Sequence, residues 1–210
     1  MERPLRKIYA IIIVFFVGSQ AALAQMGGGV NPADRAAPIF PDVDGETMIF
    51  DVPERWYPFN RRTDDMVDTY VFPAGQEPED WEETLRQQTF LSRAGVTEPR
   101  QVFDLRSQNN QSTCSRYDTE VLGDGLENGY PMFYWRQVCE TESEIVSSLN
   151  KVVLGVEQLY IISKVWKEEP RDREWTRWEE YLETVYVCDP RTAEHRCRPV
   201  RPAGMGGRGR

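Results

Sequence analysis

From Arg116 onward the chain alternates between apolar and polar positions. Tyr117, Thr119 and Val121 fall on one side of an extended segment, and Arg116, Asp118 and Glu120 on the other. That period of two is the signature of a strand with one wet face. Gly123-Asp124-Gly125 and Asn128-Gly129 supply residues that tolerate positive φ, so the chain reverses there. Residues 131–140 return as a strand, with Met132, Phe133, Tyr134, Trp135 and Val138 apolar on both sides. Residues 145–154 and 159–167 predict the next pair, turning at Gly155-Val156-Glu157-Gln158. In the last of these, Leu159, Ile161 and Val165 share one face, and Tyr160, Ile162, Lys164 and Trp166 the other. Strands apolar on both faces belong inside a layered structure. The stretch 114–167 therefore predicts four consecutive antiparallel strands in the middle of a sheet.

Two helices are predicted to cover that sheet. The first spans 78–92. Pro78 suits its opening turn, and Glu79, Asp80, Glu82 and Glu83 complement the positive end of a helix dipole. Trp81, Leu85 and the Gln88-Thr89 pair form its inward stripe, and Gly95 ends the segment. The second spans 172–187, where Trp175, Trp178, Leu182 and Val185 recur at three- and four-residue spacings. Glu174, Arg177, Glu179, Glu180 and Glu183 take its wet side. Trp81, Leu85, Trp175, Trp178 and Leu182 are the expected core contribution of the helices. Earlier in the chain, 47–52 reads as a short strand ended by Pro53, and 54–60 as an aromatic loop carrying Trp56, Tyr57 and Phe59. A second strand, 68–72, is stopped by Pro73-Ala74-Gly75. Residues 97–106 predict a strand through Val102, Phe103 and Leu105, and 107–113 a polar loop.

The chain ends change the picture of compartment. Arg3, Arg6 and Lys7, the apolar run 8–17 and Ala22-Leu23-Ala24 make residues 1–24 read as a signal peptide cleaved after Ala24. The residue directly after that point is Gln25 rather than cysteine, so no lipid attachment is expected. The expected destination is the periplasm, or the medium beyond it. Residues 25–45 read as a flexible linker, 46–197 as a single domain, and 198–210 as a disordered Gly/Pro/Arg tail. Asp42-Val43-Asp44-Gly45-Glu46 begins like a calcium loop. Thr47 and Pro53 stand where such a loop needs Gly and Glu, so a turn is the better reading. Loss of the leader moves the net charge from −9 to about −11, which argues against nucleic-acid partners and adsorption to anionic lipid. No membrane insertion is expected after cleavage.

Four cysteines remain in this oxidising context. In the hairpin register that the turn implies, Cys114 faces Cys139 within disulfide reach. Cys188 and Cys197, nine positions apart, suggest a local staple. Four cysteines allow three connectivities, among which sequence alone does not choose. Cys188, His195 and Cys197 also read as partial metal ligands, but nothing nearby completes a tetrahedral set, so no metal and no cofactor are expected. Catalytic parts are scarce: one histidine, and no nucleophile-elbow, zinc-helix or phosphate-loop pattern. Paired carboxylates remain as the basis of an alternative, a carboxylate-dependent envelope hydrolase. The favoured reading is a non-enzymatic exported binding or accessory protein, its partner another envelope protein. Trp56, Tyr57, Trp135 and Trp166 are the candidate contact aromatics.

The element order resembles that of the PsbP-like/DcrB-like superfamily. Three features carry the resemblance across 46–188. They are the early strand ending in Pro with its aromatic loop, from Met48 to Phe59; a strand leading through Phe72-Pro73-Ala74-Gly75 into an amphipathic helix headed by Trp81; and the late hairpin from Leu154-Gly155 to Trp166 followed by a C-terminal helix. The resemblance implies an α+β fold, a central and mainly antiparallel sheet covered by helices as an α/β/α sandwich. It also implies a binding or assembly role. Both cysteine pairs and the Arg-rich tail lie outside the pattern.

Overall fold

The computed structural model describes residues 45–197, and the leader, most of the linker and the tail lie outside them. Among the described residues, nine strands and two helices form an α+β fold. In chain order they are β1 (Thr47–Ile49), β2 (Trp56–Arg62), β3 (Met66–Pro73), β4 (Glu83–Phe90), α1 (Arg100–Thr113), β5 (Arg116–Glu127), β6 (Tyr130–Glu140), β7 (Ile145–Leu154), β8 (Leu159–Trp166), α2 (Asp172–Thr184) and β9 (Tyr186–Cys188). Seven strands make one antiparallel sheet in the order β2-β3-β4-β8-β7-β6-β5, and β1 pairs with β9 in a separate ribbon.

The β5–β8 meander follows the alternation in the sequence. Its inner strands are buried on both faces: every residue of β8 is buried except Val165, and β7 is buried from Ser147 to Leu154. On one face, Trp175, Trp178 and Leu182 of α2 pack with Tyr134, Leu149, Tyr160, Ile162 and Trp166. Residues of opposite parity, Phe133, Trp135, Val152, Leu154, Leu159 and Ile161, pack with Val102 and Phe103 of α1. The helix read over 172–187 stops at Thr184, because Val185 turns extended and the next three residues pair with β1.

Two elements are exchanged relative to the sequence reading. Residues 78–92 form no helix; Glu83–Phe90 is a strand hydrogen-bonded to β3 on one side and β8 on the other. Its local helix signals were acids and a proline, whereas the sheet supplies backbone partners along both edges and pairing overrides propensity. Thr84, Leu85, Gln87 and Gln88 are buried, but Trp81 lies before the strand, half-buried, beneath Lys167 at 4.4 Å. Conversely, 97–113 is not a strand and loop but helix α1. Val102 and Arg106 sit one turn apart and both face inward. Gln101 turns its side-chain oxygen back to the backbone N–H groups of Thr97 and Glu98, at 2.9 and 3.3 Å, which fixes the approach to the helix. The aromatic loop at 54–60 is likewise a strand, β2, at the sheet edge.

The cysteine register also differs. Cys139 stands opposite Tyr117, not Cys114, and a bulge between Val121 and Gly123 shifts the hairpin further. Cys114 still bonds to Cys139, with Cα atoms 5.4 Å apart, because it caps the C-terminus of α1 where the chain enters β5. The Cys188–Cys197 bond closes the loop after β9. That loop lies on the β5–β6 turn. The His195 ring stacks on Tyr130 at 4.0 Å, and its Nδ1 lies 2.8 Å from the Asn128 carbonyl.

A carboxylate helps to hold the N-terminal ribbon to the sheet, beside the Tyr160 hydroxyl, which donates to the Glu46 carbonyl at 2.8 Å. Buried Glu46 accepts hydrogen bonds from the backbone N–H groups of Val156 (2.7 Å), Gln158 (3.2 Å) and Glu157 (3.4 Å) in the β7–β8 turn. Gly155 makes room for it: a Cβ there would run into the Glu46 carboxylate.

Candidate functional site

The edge strand β2 divides its side chains between two tasks. Trp56 turns inward, its ring 5.3 Å from that of Trp178, and fastens the strand to the core beneath α2. Tyr57 and Phe59 have the opposite parity to Pro58 and remain 46% and 45% exposed. Beside them on β3, Tyr70 and Phe72 stack with ring planes 5° apart. On β4, the Arg86 guanidinium lies over the Tyr70 ring at 4.8 Å. Asp68 holds that guanidinium in a two-pronged grip, Nε to Oδ1 at 2.9 Å and Nη2 to Oδ2 at 2.6 Å. The Tyr70 hydroxyl is raised above its ordinary pKa, first by burial. The register Tyr57–Phe72 and Phe59–Tyr70 puts these rings on one side of the sheet, with Tyr57 and Phe59 exposed and Phe72 buried. The part-buried Arg86–Asp68 pair thus lies behind the exposed rings of Tyr57 and Phe59, and aromatic and arginine side chains are enriched at protein contact surfaces.

The inner side of the same strands contains a buried lysine. Lys164 on β8 is fully buried, with its Nζ 2.7 Å from Glu83 Oε2. It lies 4.3, 4.8 and 5.3 Å from the ring centroids of Trp166, Trp178 and Trp56. Burial pushes its pKa down to about 8, opposed by Glu83. The tryptophans give the ammonium ring faces in place of water, the Val165 carbonyl accepts a hydrogen bond from it at 3.2 Å, and the Glu83 carboxylate balances it.

A third arrangement occupies the far edge of the sheet. The bulge in β5 sets Gly123 opposite Tyr134 of β6, and Tyr134 is opposite Lys151 of β7. Gly123, Met132 and Tyr134 are among the residues lining a recess of about 310 Å³ that reaches Leu182 and Glu183 of α2. Lys151 caps that helix, its Nζ donating to the carbonyls of Leu182 (2.9 Å) and Val185 (2.6 Å) and pairing with Glu127. A more open acidic groove runs along Glu140, Glu144, Glu168 and Glu169.

No family model and no curated protein matches the sequence. Solved structures do. The chain is similar to cyanobacterial PsbP of Synechocystis at 10% identity and TM-score 0.42, covering 78% of this chain and 98% of that one. It is also similar to LpqN, described as involved in cell envelope biogenesis of Mycobacterium tuberculosis, at 12% identity and TM-score 0.43, covering 70% and 86%. A protein of unknown function from Pseudomonas aeruginosa matches at 10% identity and TM-score 0.40, covering 60% and 94%. The PsbP-like resemblance read from element order is thus also a resemblance of structure, and at this level it assigns no role.

The structure sorts the aromatics singled out from sequence. Trp135 is fully buried and Trp166 is 4% exposed, so both are core. Trp56 is half-buried as an anchor, and Tyr57 is exposed. Phe59 shares its face with Tyr57, as strand alternation from the anchored Trp56 would have indicated. Cys188 and Cys197 bond to each other and His195 caps a turn, so those three residues are a staple and a dock. Sequence reasoning missed the roles of Lys164, Glu46, Arg106 and Tyr134. A lysine inside an apolar run was the available signal for the first. Arg106 is 4% exposed beneath α1 and donates to Asn150 (3.1 Å) and Gln88 (3.4 Å). Burial, followed by nearby Arg86, lowers its pKa to about 10.

Proposed function

We propose that this chain is an exported, non-enzymatic binding or accessory protein of the cell envelope, and that its contact surface is the aromatic face at the β2 edge. The observation that carries the reading is the pair Tyr57 and Phe59, nearly half exposed on a strand whose outer edge has no partner among the described residues. An edge strand that keeps two rings in water offers both backbone groups and apolar area to a partner. Pro58 between the rings removes one N–H from the ladder, which fits a strand kept from indiscriminate pairing. Export rests on the leader 1–24 and suits the two disulfides. No helix among the described residues is long and apolar enough to cross a membrane. The α/β/α sandwich reading rests on the two opposed clusters, α2 on one face and α1 on the other.

The hydrolase alternative could draw on the carboxylates of the acidic groove or on those of the recess. In the recess Glu127 is engaged by Lys151, and Glu179 by Arg136 at 3.4 Å. The deciding comparison is between wild type and a Tyr57→Ala/Phe59→Ala variant. Surface positions change stability by about 0.5 kcal/mol or less, so melting should hardly move. Capture of partners from envelope extract should drop at least about tenfold if the two rings are hot spots. Undiminished capture by the variant removes the surface from consideration. A hydrolytic activity lost on one carboxylate substitution without unfolding would replace the reading altogether.

A further inference from the structure

The outer edge of β2 offers an unequal set of backbone groups. At the two ends of the β2–β3 hairpin, the Thr63 N–H donates to the Met66 carbonyl and the Ala74 N–H to the Arg55 carbonyl, both at 2.9 Å. Strand alternation between those bonds turns the backbone groups of Tyr57, Phe59 and Arg61 toward β3, and those of Trp56, Pro58, Asn60 and Arg62 outward. Pro58 has no N–H, and the Trp56 N–H already donates to the Pro53 carbonyl at 3.0 Å. The edge therefore presents donors from Asn60 and Arg62 only, against carbonyls from all four outward residues. Pro58 stands where its missing N–H costs the β2–β3 ladder nothing.

A second copy of this chain matches that set in one register. Antiparallel pairing about a two-fold axis at Phe59 lays residues 56–62 along the whole of 56–62 of the second copy. The Asn60 N–H then meets the Pro58 carbonyl of the second copy, and the Arg62 N–H meets its Trp56 carbonyl. Both donors are used on each strand, and the donor that Pro58 lacks is not required. On the exposed side Phe59 faces Phe59 and Tyr57 faces Arg61, a ring pair and two cations over rings. At the strand ends Glu54 comes toward Arg62 and Arg55 toward Asp65, opposite charges in both places. The axis repeats every contact, as a self-complementary interface requires.

The other registers fail on named residues. An axis at Pro58 sets Arg55 against Arg61 and carries the Arg62 donor past the end of the strand. An axis at Asn60 leaves Trp56 and Tyr57 outside the overlap. Axes at Arg61 or Arg62 put like charges face to face. Prolines and charges on an edge guard against indiscriminate pairing, and here they leave one register open. An edge closed to all pairing would carry charge at its centre; this one carries Phe59, 45% exposed, with Tyr57 beside it.

We infer that two copies of this chain pair antiparallel through β2 about an axis at Phe59, joining their sheets into one. This names a second copy as the occupant of the contact surface and rests on that reading of β2.

The test is sedimentation of the mature, disulfide-bonded chain from about 1 µM to about 1 mM, with amide hydrogen exchange at both limits. A one-strand interface at the small end of the size range should give a reversible dimer with a dissociation constant of about 10–100 µM. Exchange should slow on dimerisation at Asn60 and Arg62 and stay unchanged at Trp56, whose N–H is bonded within each copy. Ring stacking without strand pairing would not give that pattern. Phe59→Lys sets two ammonium groups at the axis and should weaken the dimer at least about tenfold, while melting of the dilute monomer hardly moves. A chain still monomeric at about 1 mM, a dimer indifferent to Phe59→Lys, or a dimer without protection at Asn60 and Arg62 would each overturn the inference. A monomer that captures a different envelope protein through Tyr57 and Phe59 would overturn it and leave the contact-surface reading standing. A dimer with the expected exchange pattern, in a chain whose capture of other proteins is untouched by Tyr57→Ala/Phe59→Ala, would support it and confine the surface to self-association.

Discussion

Replacing Lys164 by methionine should flatten the pH dependence of stability between pH 8 and pH 10. The unfolded chain holds this proton to about pH 10.4, while the folded protein releases it near pH 8 because three tryptophans exclude water from the ammonium. Between those values the unfolded state binds more protons than the native state. Stability therefore rises with pH, at up to about 1.4 kcal/mol per pH unit. Over the window the rise amounts to about 3 kcal/mol, and no discount for solvent applies because the side chain is fully buried. Three charged neighbours adjust the size: Glu83 and Glu174 favour the ammonium and Arg177 opposes it. Above pH 10 the sign reverses. Tyr130, Tyr134, Tyr160 and Tyr181 are all raised by burial, so the unfolded chain loses those protons first and stability falls. Urea unfolding at pH 7, 8, 9 and 10, followed by tryptophan fluorescence, reads the effect. Wild type should gain stability to about pH 10, while Lys164→Met, similar in volume and uncharged, should not. Glu83→Gln should lower stability at pH 7 by about 2 kcal/mol, less than the 3–5 of a fully buried pair, because the Glu83 side chain is 33% exposed. If wild type and Lys164→Met change in parallel over this range, the lysine is not carrying the cost assigned to it.

Two further outcomes concern the tethers. Glu46→Gln replaces the only acceptor drawn by three turn N–H groups with a weaker, half-mismatched one and should cost about 1–3 kcal/mol; urea midpoints unchanged from wild type would show that the ribbon is not held this way. A Cys114→Ser/Cys139→Ser variant opens a loop of separation 25 and should lose about 3 kcal/mol, and a loss confined to a few tenths would mean that α1 and β5 are positioned without the bond.

The parts legible in sequence were those whose signal is local. Alternation and glycine turns placed β5 to β8, and the spacing of Trp175, Trp178 and Leu182 placed α2. β4 was hidden because its polar residues, Gln87 and Gln88 among them, are buried by neighbours far away in sequence. Gln88 answers to Arg106, 18 positions on, and Thr84 donates to the Val71 carbonyl at 3.1 Å. No window of the sequence contains both ends of either contact. α1 was hidden because half of its surface is Ser, Asn and Gln, so Val102 and Phe103 looked like a short strand. Tyr57 was visible as a contact aromatic, but its separation from Trp135 and Trp166 needed the sheet order. The recess was not legible, because residues of β5, β6, β7 and α2 line it, and the bulge in β5 shifts every later pairing without leaving a residue type as its mark.

The β1–β9 ribbon has a mechanical consequence. Thr47 pairs with Cys188, and Cys188 is bonded to Cys197, so the described residues begin and end at the same end of an antiparallel pair. Tension applied between those two points would not shear the ribbon along its length. It would peel it, breaking the Thr47, Met48 and Ile49 pairings one after another. The seven-stranded sheet would bear load only after they had gone and the Glu46 clasp had opened. A chain pulled through these two points would thus yield first at a three-residue fuse and keep both the β2 face and the recess intact.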